Sequence, residues 1–173
     1  DQLNMPSSVL IDERNGSLLI CDQLNNRVMR AFHRSSPVQA IFVLEVDCVR
    51  LAMDKTGDLY IVSRLSDSIQ RWKQGEPQAT IIIGENGERD SLNQLSRPSS
   101  VFVDADSSIY VTDTSNHRVM KFVKDAKEGV VVAGGYGQGN NCTQLWWPRD
   151  AIVDQFGNVY VADAMNNRVI RFS

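Results

Sequence analysis

The chain is poor in the residues from which most catalytic and metal centres are built: it has two histidines and three cysteines in 173 residues. No CxxC pair is present, and Cys21, Cys48 and Cys142 are too few and too scattered for a disulfide framework. Cationic excess is also missing. Eighteen Lys and Arg against 21 Asp and Glu leave a net charge of −3, so the surface as a whole lacks the positive charge that phosphate neutralisation needs. No apolar run approaches the ~18 residues of a membrane span, and no charged-then-apolar leader opens the chain. Membrane insertion is not expected. Two glycosylation sequons, Asn15-Gly16-Ser17 and Asn141-Cys142-Thr143, occur at a frequency that chance supplies and weigh little toward secretion.

Helical periodicity is absent too, and a repeat stands in its place. Segment 98–122, PSSVFVDADSSIYVTDTSNHRVMKF, aligns with segment 148–172, PRDAIVDQFGNVYVADAMNNRVIRF, at an unbroken offset of fifty residues. Upstream, Gly84, Gly87 and Gln94-Leu95 fall on Gly134, Gly137 and Gln144-Leu145. A first copy runs from Pro6 to Phe32 with one extra residue in its first hairpin, and a worn copy runs from Cys48 to Trp72. Each copy breaks into short strands between turn residues; VFVD, IYVTD, RVMKF and VVVAGG read as a four-stranded antiparallel meander. The first two strands are continuously apolar, as in a sheet covered on both faces. Sheets of this size covered by copies of themselves stack as propeller blades. The expected fold is all-β, a β-propeller with blades near 5–47, 48–97, 98–147 and 148–173, the last lacking its outer strand.

YVTDTSNHRV, YVADAMNNRV and LICDQLNNRV resemble the core signature of NHL repeats, a family of mostly six-bladed propellers. In the second copy Ser63 replaces the aspartate and Ser68 the arginine. Propellers with a YWTD motif call for Trp after Tyr110 and Tyr160, where Val stands.

Asp113, Ser115 and His117 lie within five positions and hold the three residue types of a hydrolytic triad. A catalytic site is needed once, whereas a structural device recurs with the fold. Ser115 becomes Leu24 and Met165 in the sister copies, and His117 becomes Asn26 and Asn167. What persists is Asp22, Asp113 and Asp163, then Asn25, Asn116 and Asn166, then Arg27, Arg118 and Arg168. Aspartate ends one strand and arginine begins the next, so a guanidinium is expected to grip a carboxylate through two parallel hydrogen bonds. Asparagine suits left-handed turn geometry. The second copy is expected to lack this pairing. Asp12, Asp54, Asp104 and Asp154, each closing a first strand, read as turn formers.

No cofactor or metal is assigned. GGYGQG, Gly134–Gly139, would need a helix after it to hold a nucleotide, and QLWWP leads into a strand. Amidoglycolate lyases, which resemble this propeller, use several inward histidines for zinc; here only His33 and His117 exist. Lactonase-like enzymes hold a channel calcium, and no unrepeated acidic pair stands out at a first-strand start.

The second-to-third hairpins share a rim with the linkers between blades, and the repeats differ there. Leu24, Arg64, Leu65, Ser115, His117, Tyr136, Trp146, Trp147 and Met165 form the candidate partner-binding rim, in a composition that interface centres favour. Cys21 and Cys48 sit at this end on adjacent blades; two buried thiols are expected, with a disulfide as the alternative. The resemblance implies a non-catalytic protein-docking platform. It also admits single-stranded RNA on a basic rim, which Arg27, Arg30, Arg64, Arg118, Lys121, Arg168 and Arg171 would have to supply, and a lyase or lactonase-like enzyme. Finally, four blades make an arc where the family's ring has six. Two open blade faces would expose roughly 640 Å² of largely apolar surface, up to ~16 kcal/mol. Further blades of a longer chain, or another copy, are expected to close it.

Overall fold

Strands that are apolar on both faces must be covered twice, and this chain covers them by stacking sheets. The computed structural model describes residues 2–32, 40–84 and 90–173. His33 and Gly87 lie outside the described residues. The first sheet is β1 (Pro6–Asp12), β2 (Ser17–Asp22), β3 (Arg27–Ala31) and β4 (Ala40–Leu44). The second holds β5 (Arg50–Met53), β6 (Leu59–Ser63), β7 (Ser68–Trp72) and β8 (Thr80–Ile83). The third holds β9 (Pro98–Val103), β10 (Ile109–Asp113), β11 (Arg118–Phe122) and β12 (Val130–Gly134). The fourth has three strands, β13 (Pro148–Val153), β14 (Val159–Asp163) and β15 (Arg168–Phe172). Each is an antiparallel meander in chain order. First strands adjoin: β1 lies against β5, β5 against β9, and β9 against β13. The fold is a β-propeller with its first strands around the axis.

Alternation within the apolar strands divides the core into layers. On β6, Leu59 and Ile61 face the first sheet while Tyr60 and Val62 face the third. On β10, Val111 joins the layer toward the second sheet and Tyr110 the layer toward the fourth. A strand covered on both sides shows no alternation in sequence because both sets of residues are buried. At the arc's ends the covering stops. Val9 and Ile11 are 65% and 61% exposed at one end, and Ile152 and Val169 are 58% and 73% exposed at the other.

The first hairpins close on their aspartates. Asp54 Oδ1 accepts the N–H groups of Thr56, Gly57 and Asp58 at 2.9, 2.9 and 3.0 Å, and Asp154 Oδ1 accepts those of Phe156 and Asn158. The longer turn of the first sheet works differently. Asp12 pairs with Arg14 at 2.8 Å and Arg30 at 3.3 Å, and Arg14 reaches across to Thr56 O at 2.9 Å. Its guanidinium fills the space over Gly57, whose φ is +95°.

Candidate functional site: the hairpin corners and the linker rim

Each second hairpin ends its turn on a left-handed residue, preceded by a short 3-10 turn in the first, third and fourth sheets. In the third sheet this is Thr114–Asn116 and then His117, with φ 53°. Asn26, Asp67 and Asn167 hold the same place at φ 48°, 46° and 51°. Asn, Asp and His are the side chains enriched in this conformation, which accounts for a histidine there without any catalytic task. The His117 side chain also holds the next blade: Nδ1 accepts the Trp147 N–H at 3.2 Å. Asp67 Oδ1 takes the N–H of Arg97 in the same way one blade earlier.

The repeated aspartate, asparagine and arginine converge as a clamp. Asp113 Oδ1 accepts the Ser96 N–H at 2.7 Å, and Oδ2 accepts Asn116 Nδ2 at 2.9 Å and Arg118 Nε at 2.8 Å. Arg118 sends its terminal nitrogens to the carbonyls of Asp90, Ser91 and Gln94, at 2.6, 3.0 and 3.2 Å. The expectation of two parallel carboxylate bonds is therefore corrected: one guanidinium nitrogen meets the carboxylate and the other two hold the incoming linker. With Nε on Oδ2, the terminal nitrogens reach the linker carbonyls, while Oδ1 takes the linker amide of Ser96. Asp163 repeats the arrangement with Trp146 N–H, Asn166 and Arg168, whose remaining nitrogens hold the carbonyls of Asn140, Asn141 and Gln144. Asp22 repeats it with Asn4 N–H, Asn25 and Arg27.

The second sheet has a substitute. Ser66 Oγ donates to Ser63 Oγ at 2.8 Å and lies 2.7 Å from Ser68 Oγ, while Asp47 Oδ2 accepts the N–H groups of Arg64 and Leu65. Here the reading of Cys21 and Cys48 as free thiols is overturned. They form a disulfide with Cα atoms 5.3 Å apart, inside the range that unstrained backbones span, and both are fully buried. Cys48 stands where the other blades carry proline, so the crosslink occupies the junction that lost its clamp.

The clamp carboxyls are shifted in opposite directions. At Asp22, in the terminal blade, burial opposes ionisation, but the Asn4 amide, Asn25 and Arg27 outweigh it and hold the carboxyl below its usual range. At Asp113, flanked by blades on both sides, burial prevails over the same donors and pushes the carboxyl up. His117 is held below its usual value by burial, against the charge of Asp163.

The rim residues stand where the meander places them. Leu24, Leu65, Tyr136, Trp146 and Met165 are exposed, and Arg64, Ser115, His117 and Trp147 are half-buried. Arg97 lies over the Trp147 ring, 5.4 Å from its centroid. Most of the basic residues weighed for RNA are engaged elsewhere: Arg27, Arg118 and Arg168 in clamps, Arg30 with Asp12, and Lys121 over the Tyr110 ring. One constellation escaped the sequence reading. Arg50 and Asp150 meet at 2.6 Å, and Ser100 donates to Asp150. These residues sit fifty apart on three first strands, so the repeat offset was the signal that could have found them. Among the described residues no group of three His, Cys, Asp or Glu is placed to hold a metal ion, and no helix is long and apolar enough to cross a membrane.

Residues 95–122 match the NHL repeat. No curated protein sequence matches the chain significantly. Among solved structures, a gluconolactonase from Xanthomonas campestris is similar over 100% of this chain and 59% of its own, with TM-score 0.80 and 16% identity. An auxiliary nutrient binding protein from Bacteroides thetaiotaomicron is similar over 97% of this chain and 47% of its own, with TM-score 0.78 and 15% identity. A chain of a nidogen/laminin complex is similar over 98% and 61%, with TM-score 0.77 and 16% identity. Likeness at these identities concerns the fold, and the chain spans 47% to 61% of the length of these three structures.

Proposed function

We propose that the chain is a non-catalytic part of a propeller that docks a protein partner on the rim formed by its second hairpins and linkers. One observation carries the reading. At equivalent places in three second hairpins stand Leu24, Leu65 and Met165, 56%, 84% and 51% exposed. What the fold uses there is the backbone: the Leu24 N–H bonds Asn4 O and the Met165 N–H bonds Trp146 O, both at 3.1 Å. Ser115 fills the same place in the third blade with its N–H on Ser96 O, so a small polar residue suffices. Large apolar side chains at a position that needs none are the composition of a docking surface. Tyr136, 74% exposed, and Trp146 stand on the same rim.

Two features favour a protein partner over catalysis or RNA. The Asp113, His117 and Arg118 side chains are spent on holding linkers, and most of the arginines a nucleic acid would need are bound to carboxylates. The open faces at Val9 and Ile152 are read as the places where further blades complete the ring. A crosslinking capture tests the reading: a partner retained by the wild type should be lost with Leu65→Asp combined with Tyr136→Ala. It should be kept with Phe156→Ser, an exposed residue of the opposite end. Equal capture by the rim variant and the wild type would remove the rim as the contact face.

A further inference from the structure

The linker between β12 and β13 carries the exposed sequon Asn141-Cys142-Thr143, and the Cys21–Cys48 disulfide bears on what becomes of it. We infer that this protein matures in an oxidising secretory lumen and carries an N-linked glycan on Asn141 but none on Asn15.

Disulfides persist where the cytosolic thiol pool does not reach. This one forms when two thiols give two electrons and two protons to a protein disulfide of the lumen. It is fully buried and bridges two blades, so it belongs to the folded architecture rather than to surface chemistry. In that compartment an accessible Asn-x-Ser/Thr is an acceptor. The donor is a lipid-linked oligosaccharide diphosphate. The sugar C1–O bond to phosphate breaks, a C1–N bond to asparagine Nδ2 forms, the amide proton passes to a base of the transferase, and the lipid diphosphate leaves.

The structure separates the two sequons. Asn141, Cys142 and Thr143 are all exposed. They form a turn closed by the Gln144 N–H on Asn141 O at 3.1 Å and pinned by Arg168 on the same carbonyl at 2.9 Å. The backbone is thus held while the Asn141 side chain has no hydrogen bond among the described residues. Asn15 is exposed as well, but its amide is engaged. Its Oδ1 accepts the Ser17 N–H at 2.9 Å, its Nδ2 donates to Asp12 at 3.3 Å, and Ser17 is fully buried at the start of β2.

Order of synthesis widens the difference. The turn at Asn15 belongs to a local hairpin, which forms in roughly 1–10 μs. The turn at Asn141 has one local bond, from the Gln144 N–H, and its side-chain pin is an arginine 27 residues downstream, which at ~5–20 residues per second takes seconds to emerge. The transferase therefore meets Asn141 open and Asn15 closed.

Secretion of the chain from a eukaryotic cell line, followed by intact-mass and peptide analysis, tests this. One glycan removable by N-glycanase is expected, mapped to Asn141, lost in both Asn141→Gln and Thr143→Ala, and unchanged in Asn15→Gln. Alkylation of the denatured, unreduced protein should mark Cys142 and leave Cys21 and Cys48 unmarked. A mass equal to the bare polypeptide, a glycan on Asn15, or alkylated Cys21 or Cys48 overturns the inference.

Discussion

Nδ1 of His117 accepts the backbone N–H of Trp147 at 3.2 Å, so a side chain of the third blade holds the linker that enters the fourth. The bond requires a neutral ring, because a protonated imidazole donates from both nitrogens.

A pH dependence follows. Burial holds the folded His117 below its ordinary value of 6.5, so the unfolded chain takes up its proton first on acidification. Stability from this group is complete above pH 6.5 and is lost as pH falls from there through the lowered folded value. His117→Asn, the residue of two sister blades, should lose part of that slope. Thermal midpoints compared in neutral and mildly acidic buffer measure it. Identical slopes in wild type and variant would show that His117 does not couple the blades.

The clamps should differ in strength with their depth. Arg118→Ala leaves a fully buried carboxylate and three linker carbonyls without their donor, a loss of ~3–5 kcal/mol. Arg168→Ala should cost less, since the Arg168 side chain is 28% exposed against 7% for Arg118 and water can replace it. Denaturant unfolding of the two variants orders them, and a larger loss at Arg168 would contradict the account.

Two glycines with similar backbone and different surroundings isolate the Arg14 strap. Gly157 has φ +83° and nothing within 4 Å of an added Cβ, whereas at Gly57, φ +95°, a Cβ would collide with the Arg14 guanidinium. Gly157→Ala should cost the left-handed backbone penalty, about 1–2 kcal/mol. Gly57→Ala should cost about 1 kcal/mol more, the worth of the displaced hydrogen bond to Thr56. Equal unfolding midpoints would mean that Arg14 adds nothing across the junction.

The fifty-residue offset determined the all-β class, the meander and the blade stacking, because a repeating unit that cannot bury its own apolar faces has to stack. It also dismissed the triad: comparing Ser115 and His117 with their sister residues needed only the alignment. Other matters were decided by tertiary structure, since they depend on which groups are already occupied when a third arrives. Asp113 and Arg118 could be paired from sequence, but the Ser96 amide on Oδ1 lies in a different stretch of chain. The Cys21–Cys48 bond needed the distance between two blades at the junction whose clamp had decayed into serines. Repetition identifies the residues a fold reuses, whereas the bonds each side chain makes depend on neighbours that only folding assembles.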